Sequence, residues 1–430
     1  MKVGKRVKRK FYWRRLDDQA KVFSLAANSK YNSVFRLSVT LTEKIDNNYL
    51  QKAVELALEK YEAFKVKMTG GFFWFYFIQN EKNPIVSIEN DYPFKRLNLK
   101  ANNDYLFKVT YFNNKINIDF YHVLTDGNSG VEFLKEIVYR YLELKYPLNL
   151  KTQKLHQREI LQDSENAYKR GYRAHIKKSK ISKKAYMLKG EELEKDKVGI
   201  IHYSIDLQEI KKYVKIKEAS LSMYVIAMLV YSIYEQNYKQ YNGKQPINIC
   251  VPINLKKYIT TNTVSNFFSY MVLSFNLRER KEYSIDDILI MVKREFNKKL
   301  KLEKILGTIS SDAGSTNKFF IRIVPLIIKR IAVVIGSLQV KRHFTLTFSN
   351  IGKIEVDNKY SKYIEDFFLI LAPDWAERIK CGVCSYDNDL VVTFATNMKD
   401  SSIQNKFKEE LEKNNIGFSI EGNGVNNVSY

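Results

Sequence analysis

The stretch Ile116–Gly130, INIDFYHVLTDGNSG, runs an alternating apolar pattern into a histidine, an aspartate and a glycine. Ile116, Ile118, Phe120 and His122 recur at every second position, so in a strand all four side chains project to one face. A histidine on an apolar face is either a satisfied core residue or a group held for chemistry. The residues that follow favour the second reading. Asp126 lies one loop away and can hold the local geometry through hydrogen bonds or a buried ion pair. Gly127 permits a backbone conformation, or a close approach, that a Cβ would forbid. Ser129 and Glu132 make an S-x-x-E capping box for a helix with Val131, Leu134, Val138 and Tyr141 along one stripe. A general base needs one ring nitrogen free and the other hydrogen-bonded, so that the tautomer is set. A strand end, a fixed loop and a capped helix supply that rigidity.

The rest of the chain sets the frame. At 430 residues it exceeds the size at which one hydrophobic core keeps growing, so two domains or subdomains are expected. With 45% hydrophobic residues and 13% aromatics it is globular. Cys250, Cys381 and Cys384 are too few for a disulfide framework and fit a reducing compartment, so a cytoplasmic location is expected. The CGVC pair has CxxC spacing but lacks the second pair or the histidines of a zinc site. It reads as strand core, and no metal is expected.

No apolar h-region follows the basic N-terminus, so no secretory signal is expected. No apolar run reaches the roughly 18 residues of a spanning helix. The nearest, FFIRIVPLIIKRIAVVIG at 319–336, is interrupted by Arg322, Pro325, Lys329 and Arg330. It reads as a core helix with solvated charges; the alternative is an amphipathic surface for membranes or apolar substrates. The net charge of +24 favours anionic partners. It is spread along the chain, however, and reads first as a solvated basic surface.

Strand and helix signals fall into two halves. Phe35, Leu37, Val39 and Leu41 alternate in SVFRLSVTL, which predicts a half-buried strand. Asp46 and Asn47 offer a cap for a helix carrying Leu50, Val54, Ala57, Leu58 and Tyr61. GFFWFYFIQ and YLFKVTYF read as strands, and NNK turns the latter into INIDFYH as a hairpin. The aromatics of FFWFYF are core by default, although an acyl channel would be lined the same way. The charged stretch from Asn149 to about Lys197 is the expected seam. Beyond it GIIHYSIDL, PINICVPINL, HFTLTFSNIG, DFFLILA and NDLVVTFAT read as strands. SLSMYVIAMLVYSIYEQ is a helix apolar nearly all round and therefore buried, and SSIQNKFKEELEKNN closes the chain. Each half is a mixed sheet flanked by helices, an α/β fold.

With H-x-x-x-D-G at His122–Gly127, the chain resembles the chloramphenicol acetyltransferase-like superfamily. That group includes condensation domains and carnitine and plant acyltransferases; the nearest resemblance is to bacterial alcohol O-acetyltransferase-type proteins. YHVLTDGNSGVEFLKEIVYRYLE is similar to the family's histidine loop and helix. VPINLKKYITTNTVSNFFSYM resembles its second-half segment, TFSNIGKIEV its late S-N-x-G strand, and WRRLDDQAKVF its opening helix. The four blocks keep the family's order over nearly the whole chain. Tyr121 stands where many members carry a first histidine, and Lys256 where some carry arginine.

The resemblance implies two subdomains, 1–190 with the HxxxDG loop and 191–430, with a tunnel between them and a strand lent by the second half to the first. It implies an acyl-CoA-dependent O-acyltransferase, like the alcohol acetyltransferases, that moves an acyl group, expected to be acetyl, onto a small alcohol or lipid-like acceptor. His122 would be the general base and Gly127 the loop glycine. Asp126 would be structural, paired with Arg14 or Arg15. Ser349 and Asn350 would be oxyanion donors, or else a local turn before Gly352. Acyl-CoA would be a cosubstrate and no cofactor permanently bound. The alternative donor is a phosphopantetheine arm on an acyl carrier protein, with an amine acceptor. A non-catalytic protein that binds nucleic acid or an anionic membrane would explain the charge but not the ordered motifs. Peripheral membrane contact is compatible with the enzyme, and nucleic acid is not an expected partner. His156 and His175 read as solvated in the charged seam, and His202 and His343 open strands with no aspartate or glycine close by.

Overall fold

The computed structural model of the chain describes residues 13–26, 33–94, 99–147, 166–171, 183–280, 282–301, 303–307 and 319–425. The basic N-terminal cluster, most of the charged seam, and His156 and His175 lie outside the described residues. The first half runs β1 (Trp13–Arg15), α1 (Asp18–Ala26), β2 (Val34–Leu41), α2 (Asn47–Lys60), β3 (Val66–Gly70), β4 (Phe75–Gln79), β5 (Val86–Ile88), β6 (Phe107–Phe112), β7 (Lys115–Tyr121) and α3 (Gly127–Lys145). A short helix α4 (Tyr168–Gly171) precedes β8 (Gly199–Asp206), α5 (Leu207–Ile216), α6 (Leu221–Ile233), β9 (Ile247–Asn254), β10 (Phe268–Phe275) and α7 (Ile285–Lys299). Then come α8 (Phe319–Ile323), α9 (Leu326–Lys341), β11 (Leu346–Lys353), β12 (Ile364–Leu371), β13 (Ile379–Tyr386), β14 (Asp389–Thr396), α10 (Ser402–Lys413) and β15 (Phe418–Gly422).

Two mixed sheets flanked by helices organise the molecule, one in the order β12-β2-β7-β6-β5 and one in the order β10-β9-β11-β13-β14-β8-β15. A small third sheet, β1-β4-β3, was not legible from the pattern. β12 belongs to the second half by sequence, yet it pairs antiparallel with β2 along its length. A boundary at residue 190 therefore divides the chain but not the two sheets. The alternating runs do form strands, and the all-apolar helix α6 is buried from Tyr224 to Val230.

Several local expectations change. WRRLDDQAKVF opens as a strand, with Trp13–Arg15 paired to Tyr76–Ile78, and its helix begins only at Asp18. Asp126, not Ser129, caps α3: its Oδ1 accepts from the Ser129 backbone N–H at 2.9 Å. Nor is β2 half-buried, since Arg36 and Ser38 on its polar face are as enclosed as the apolar side chains opposite. Arg36 donates to both oxygens of Asp119 at 2.7 and 2.8 Å and to both of Glu89 at 2.6 and 3.0 Å. Burial works against that guanidinium charge, but the two carboxylates outweigh it and hold its pKa above the ordinary arginine value. Full pairing is what lets the charges stay buried.

FFIRIVPLIIKRIAVVIG breaks at Pro325 into α8 and α9, and α9 is not a core helix. Its isoleucines face solvent while Lys329 and Lys341 are buried. Phe72 and Phe73 of the aromatic run are also exposed, not core. Among the described residues no single helix is long and apolar enough to cross a membrane.

The CGVC segment lies where the two sheets meet. Cys384 Sγ donates to the Phe367 carbonyl of β12 at 3.0 Å, and all three cysteines are buried and unpaired with one another. A Cβ on Gly382 would collide with the carbonyl oxygen of Leu369. Gly382→Ala is therefore expected to lower the unfolding free energy in denaturant titrations by about 1–3 kcal/mol. An unchanged midpoint would mean that the sheets separate freely there.

Candidate active site

His122 follows the last residue of β7, half-buried, with its backbone N–H donated to the Ser33 carbonyl at 2.7 Å. Phe23 stacks on the imidazole at 4.5 Å between ring centroids, and Phe35 meets it edge-on at 4.9 Å. Asn266, 144 residues away in the chain, anchors the ring. Its Nδ2 donates to the His122 carbonyl at 2.9 Å and to Asp17 Oδ2 at 3.3 Å. That orientation turns Asn266 Oδ1 toward His122 Nδ1, 3.0 Å away. An amide oxygen can only accept, so Nδ1 must carry the proton. In the neutral ring Nε2 then keeps its lone pair. Burial lowers the His122 pKa below 6.5, and the Asn266 hydrogen bond and the Asp126 charge offset this only in part. The ring is therefore neutral at neutral pH with Nε2 as its basic atom.

Asp17 completes the anchor. Its Oδ1 accepts from the Ala20 backbone N–H at 2.7 Å and its Oδ2 from the Asn266 backbone N–H at 3.2 Å. Burial pushes its pKa up to about 7, against hydrogen bonds from Ala20 and Asn266. Loss of its charge weakens the anchor without removing it, because the His122 carbonyl also holds the amide.

The loop after His122 is pinned to the second half. Thr125 Oγ1 donates to the Val264 carbonyl at 2.7 Å. Asp126 Oδ2 accepts from the Phe267 backbone N–H at 3.1 Å and pairs with Lys256 Nζ at 3.2 Å. The same ammonium stands 2.6 Å from Ser129 Oγ. Lys256 thus makes the ion pair that the sequence assigned to Arg14 or Arg15. Arg14 is held elsewhere, donating to the Ala63 carbonyl at 2.7 Å and to Ser265 Oγ at 3.2 Å and lying 4.6 Å over the Phe77 ring. Burial, partly offset by Asp17, lowers its pKa to about 10. Arg15, exposed on the other face of β1, lies over Trp13. Strand pairing of β1 with β4 accounts for both positions.

Gly127 has an ordinary backbone conformation and sits in a tight place: a Cβ there would stand 3.3 Å from Ile351 Cγ2 on β11, which would have to shift slightly. Ser349 and Asn350 project to opposite faces of β11, ahead of an irregularity between Asn350 and Lys353. Asn350 Nδ2 donates to Ser222 Oγ at 3.0 Å, and its Oδ1 accepts from the Gly352 backbone N–H at 2.7 Å. Of the expected oxyanion pair, Asn350 is thus tied into a local turn. Among the described residues no group of three or more His, Cys, Asp or Glu side chains could hold a metal ion.

Two clefts open among these elements. One, of about 860 Å³, includes Ser129, Lys256, Val264 and Ile351 and is bordered by four lysines, Lys60, Lys135, Lys256 and Lys353, against two glutamates. The other, of about 790 Å³, is aromatic, with Trp13, Phe73, Trp74, Phe75 and Tyr76. It includes Lys21, two residues before Phe23 on α1.

The chain is similar in structure to TRI3 trichothecene 15-O-acetyltransferase from Fusarium sporotrichioides, with a TM-score of 0.60 and 10% identity over 95% of this chain and 97% of that one. It is likewise similar to F. sporotrichioides TRI101 complexed with coenzyme A and T-2, with a TM-score of 0.61 and 8% identity over 95% and 99%. A variant starter condensation domain of rhizomide synthetase RzmA, in complex with C8-CoA, gives a TM-score of 0.55 and 10% identity over 94% of each chain. The chain has the chloramphenicol acetyltransferase-like fold. No family model and no curated protein sequence matches it.

Within this chloramphenicol acetyltransferase-like fold, His202 is a core residue. It is buried, with Nδ1 2.8 Å from Thr393 Oγ1, and burial holds its pKa well below 6.5. Asn266, Asp17 and Phe23 escaped the reading as site residues although their segments were already in view. Nothing in the spacing of positions 17, 122 and 266 marks them as one cluster. Only the packing of three separate segments around the ring does so.

Proposed function

We propose that the protein transfers an acyl group from the thioester of acyl-CoA to an acceptor hydroxyl, with His122 Nε2 as general base. The observation that carries this reading is the Asn266 anchor, whose amide oxygen on Nδ1 puts the proton there and leaves the lone pair on Nε2. The acceptor O–H gives its proton to Nε2 as its oxygen attacks the thioester carbonyl. Collapse of the tetrahedral intermediate breaks the C–S bond, and the imidazolium returns the proton to the leaving thiolate. The products are an ester and a free thiol. The Ser349 hydroxyl is the side-chain donor suited to the oxyanion, where one aligned donor is typically worth about 10²–10³ in kcat. The four-lysine cleft, with the N-terminus of α3 in its wall, suits the phosphates of the donor. The aromatic cleft suits an apolar acceptor. Structural neighbours crystallised with coenzyme A or an acyl-CoA support a CoA donor.

Thiol release tests the reading directly. The protein and its His122→Ala variant would be given acetyl-CoA and longer acyl-CoAs with a panel of alcohols and amines. Acceptor-dependent release by the wild type alone is expected, and release only from an acyl group loaded on a carrier protein would overturn the free-CoA donor.

The pH profile follows from the lowered pKa. Burial lowers the pKa of the base, so the acid limb of kcat/KM is expected at lower pH than an ordinary histidine would give. Asn266→Asp places a carboxylate on Nδ1, which favours the imidazolium and should move that limb to higher pH. A limb that does not move would remove His122 as the titrating base.

A further inference from the structure

Helix α9 turns its apolar side to solvent and its lysines to the protein. Ile327, Ile331, Ile335 and Leu338 form one stripe and are 75%, 58%, 57% and 38% exposed. On the opposite stripe Lys329 and Lys341 are buried, and Val333 and Ser337 are half-buried. Lys329 Nζ donates to the Phe73 carbonyl at 2.9 Å and lies 3.8 Å from the centre of the Trp74 ring. Lys341 Nζ pairs with Asp374 at 2.7 Å. These contacts fix the rotation of the helix, since hiding the isoleucines would pull a paired, buried ammonium out of its site.

The face continues beyond the helix. Leu326 donates its backbone N–H to the Phe72 carbonyl at 2.9 Å, which ties the β3–β4 hairpin tip to the start of α9. Phe72 on that tip is 73% exposed, and Ile323 of α8 is 51% exposed. A joined apolar face of this kind marks an interaction surface, unlike isolated surface leucines. Its charge is one-sided. From Ala313 to Ile354 the sequence holds no aspartate or glutamate, while Arg322, Arg330 and Arg342 are exposed.

An apolar stripe edged by arginines, on a segment whose own sequence carries no carboxylate, complements a surface that is anionic outside and hydrocarbon beneath. At 16 residues, α9 is about 24 Å long, which suits a helix lying in the plane of an interface. We propose that α9 and the Phe72–Phe73 tip dock the protein onto an anionic membrane surface. The aromatic cleft, which shares Phe73 and Arg322 with this face, then opens beside the lipid.

Co-sedimentation of the full chain with vesicles tests this, using phosphatidylcholine alone and phosphatidylcholine mixed with phosphatidylglycerol. The protein is expected to pellet with the mixed vesicles only. Ile331→Asp with Ile335→Asp should cut the bound fraction by about tenfold or more, with an unchanged thermal transition. Phe72→Ser with Phe73→Ser, on a separate element, should act in the same direction and carries the test alone if the helix variant fails to fold. Absence of binding, or binding indifferent to the apolar substitutions, overturns the proposal. So does a wild-type dimer that the α9 variant dissolves, because a second copy would then cover the face.

Discussion

His122→Ala should lower kcat/KM for acyl transfer by about 10²–10⁴-fold, the usual contribution of a positioned general base, while the protein stays folded. The substitution removes Nε2 and leaves Asn266 bound to Asp17 and to the residue 122 carbonyl, so the seam between the halves keeps its contacts. Thiol release and thermal unfolding, measured on the same preparations, separate the two effects. Turnover close to wild type would end the assignment. Asn266→Ala is the companion: the ring stays but loses its side-chain tether, so a smaller fall in kcat is expected at unchanged acyl-CoA affinity. A change in affinity alone would make Asn266 a binding residue and not a positioning one.

Asp126→Ala is expected to lower stability by about 1–3 kcal/mol, from the lost helix cap and the hydrogen bonds left unmade. Activity should fall with it. Asp126 caps α3, accepts from Phe267 of the second half, and neutralises Lys256. Its removal leaves the Lys256 ammonium facing an empty site and frees the loop that carries His122. Asp126→Asn discriminates among these roles. Its amide oxygen can still accept from Ser129, and Asn caps helices about as well as Asp, but the ion pair is gone. Denaturant titration should place this variant between wild type and Asp126→Ala. An Asp126→Ala protein of wild-type stability without activity would mean that the carboxylate acts in the chemistry itself.

Much of the fold was legible because period and burial coincide where one side of a segment is core. Ile116, Ile118 and Phe120 alternate, and each is fully buried. Asp46 was read as a cap, and its side chain does accept from the Asn48 and Tyr49 backbone N–H groups. The reading failed where a long-range partner changed the meaning of a residue. Arg36 and Ser38 read as solvent-facing because polar residues usually are, but Asp119, Glu89 and Asn117 enclose them. Ser129 read as the cap from the S-x-x-E pattern, whereas Asp126 reaches the orphan N–H first. The isoleucines of α9 read as core because no sequence pattern records that Asp374 and the Phe73 carbonyl claim the lysines.

By itself the sequence determined the alternation that makes the strands, the His122–Gly127 loop at the end of one of them, and an order of motifs that resembles one superfamily. These are local properties, set by spacing and by the conformations that each residue allows. Only the tertiary structure decided that Asn266 and Asp17 hold the ring, that Lys256 rather than Arg14 or Arg15 meets Asp126, and that Asn350 is tied to Ser222. Hydrogen bonds and ion pairs form between atoms about 3 Å apart, and separation along the chain says nothing about which atoms come that close. The side-chain partner of His122 Nδ1 is therefore a residue 144 positions away.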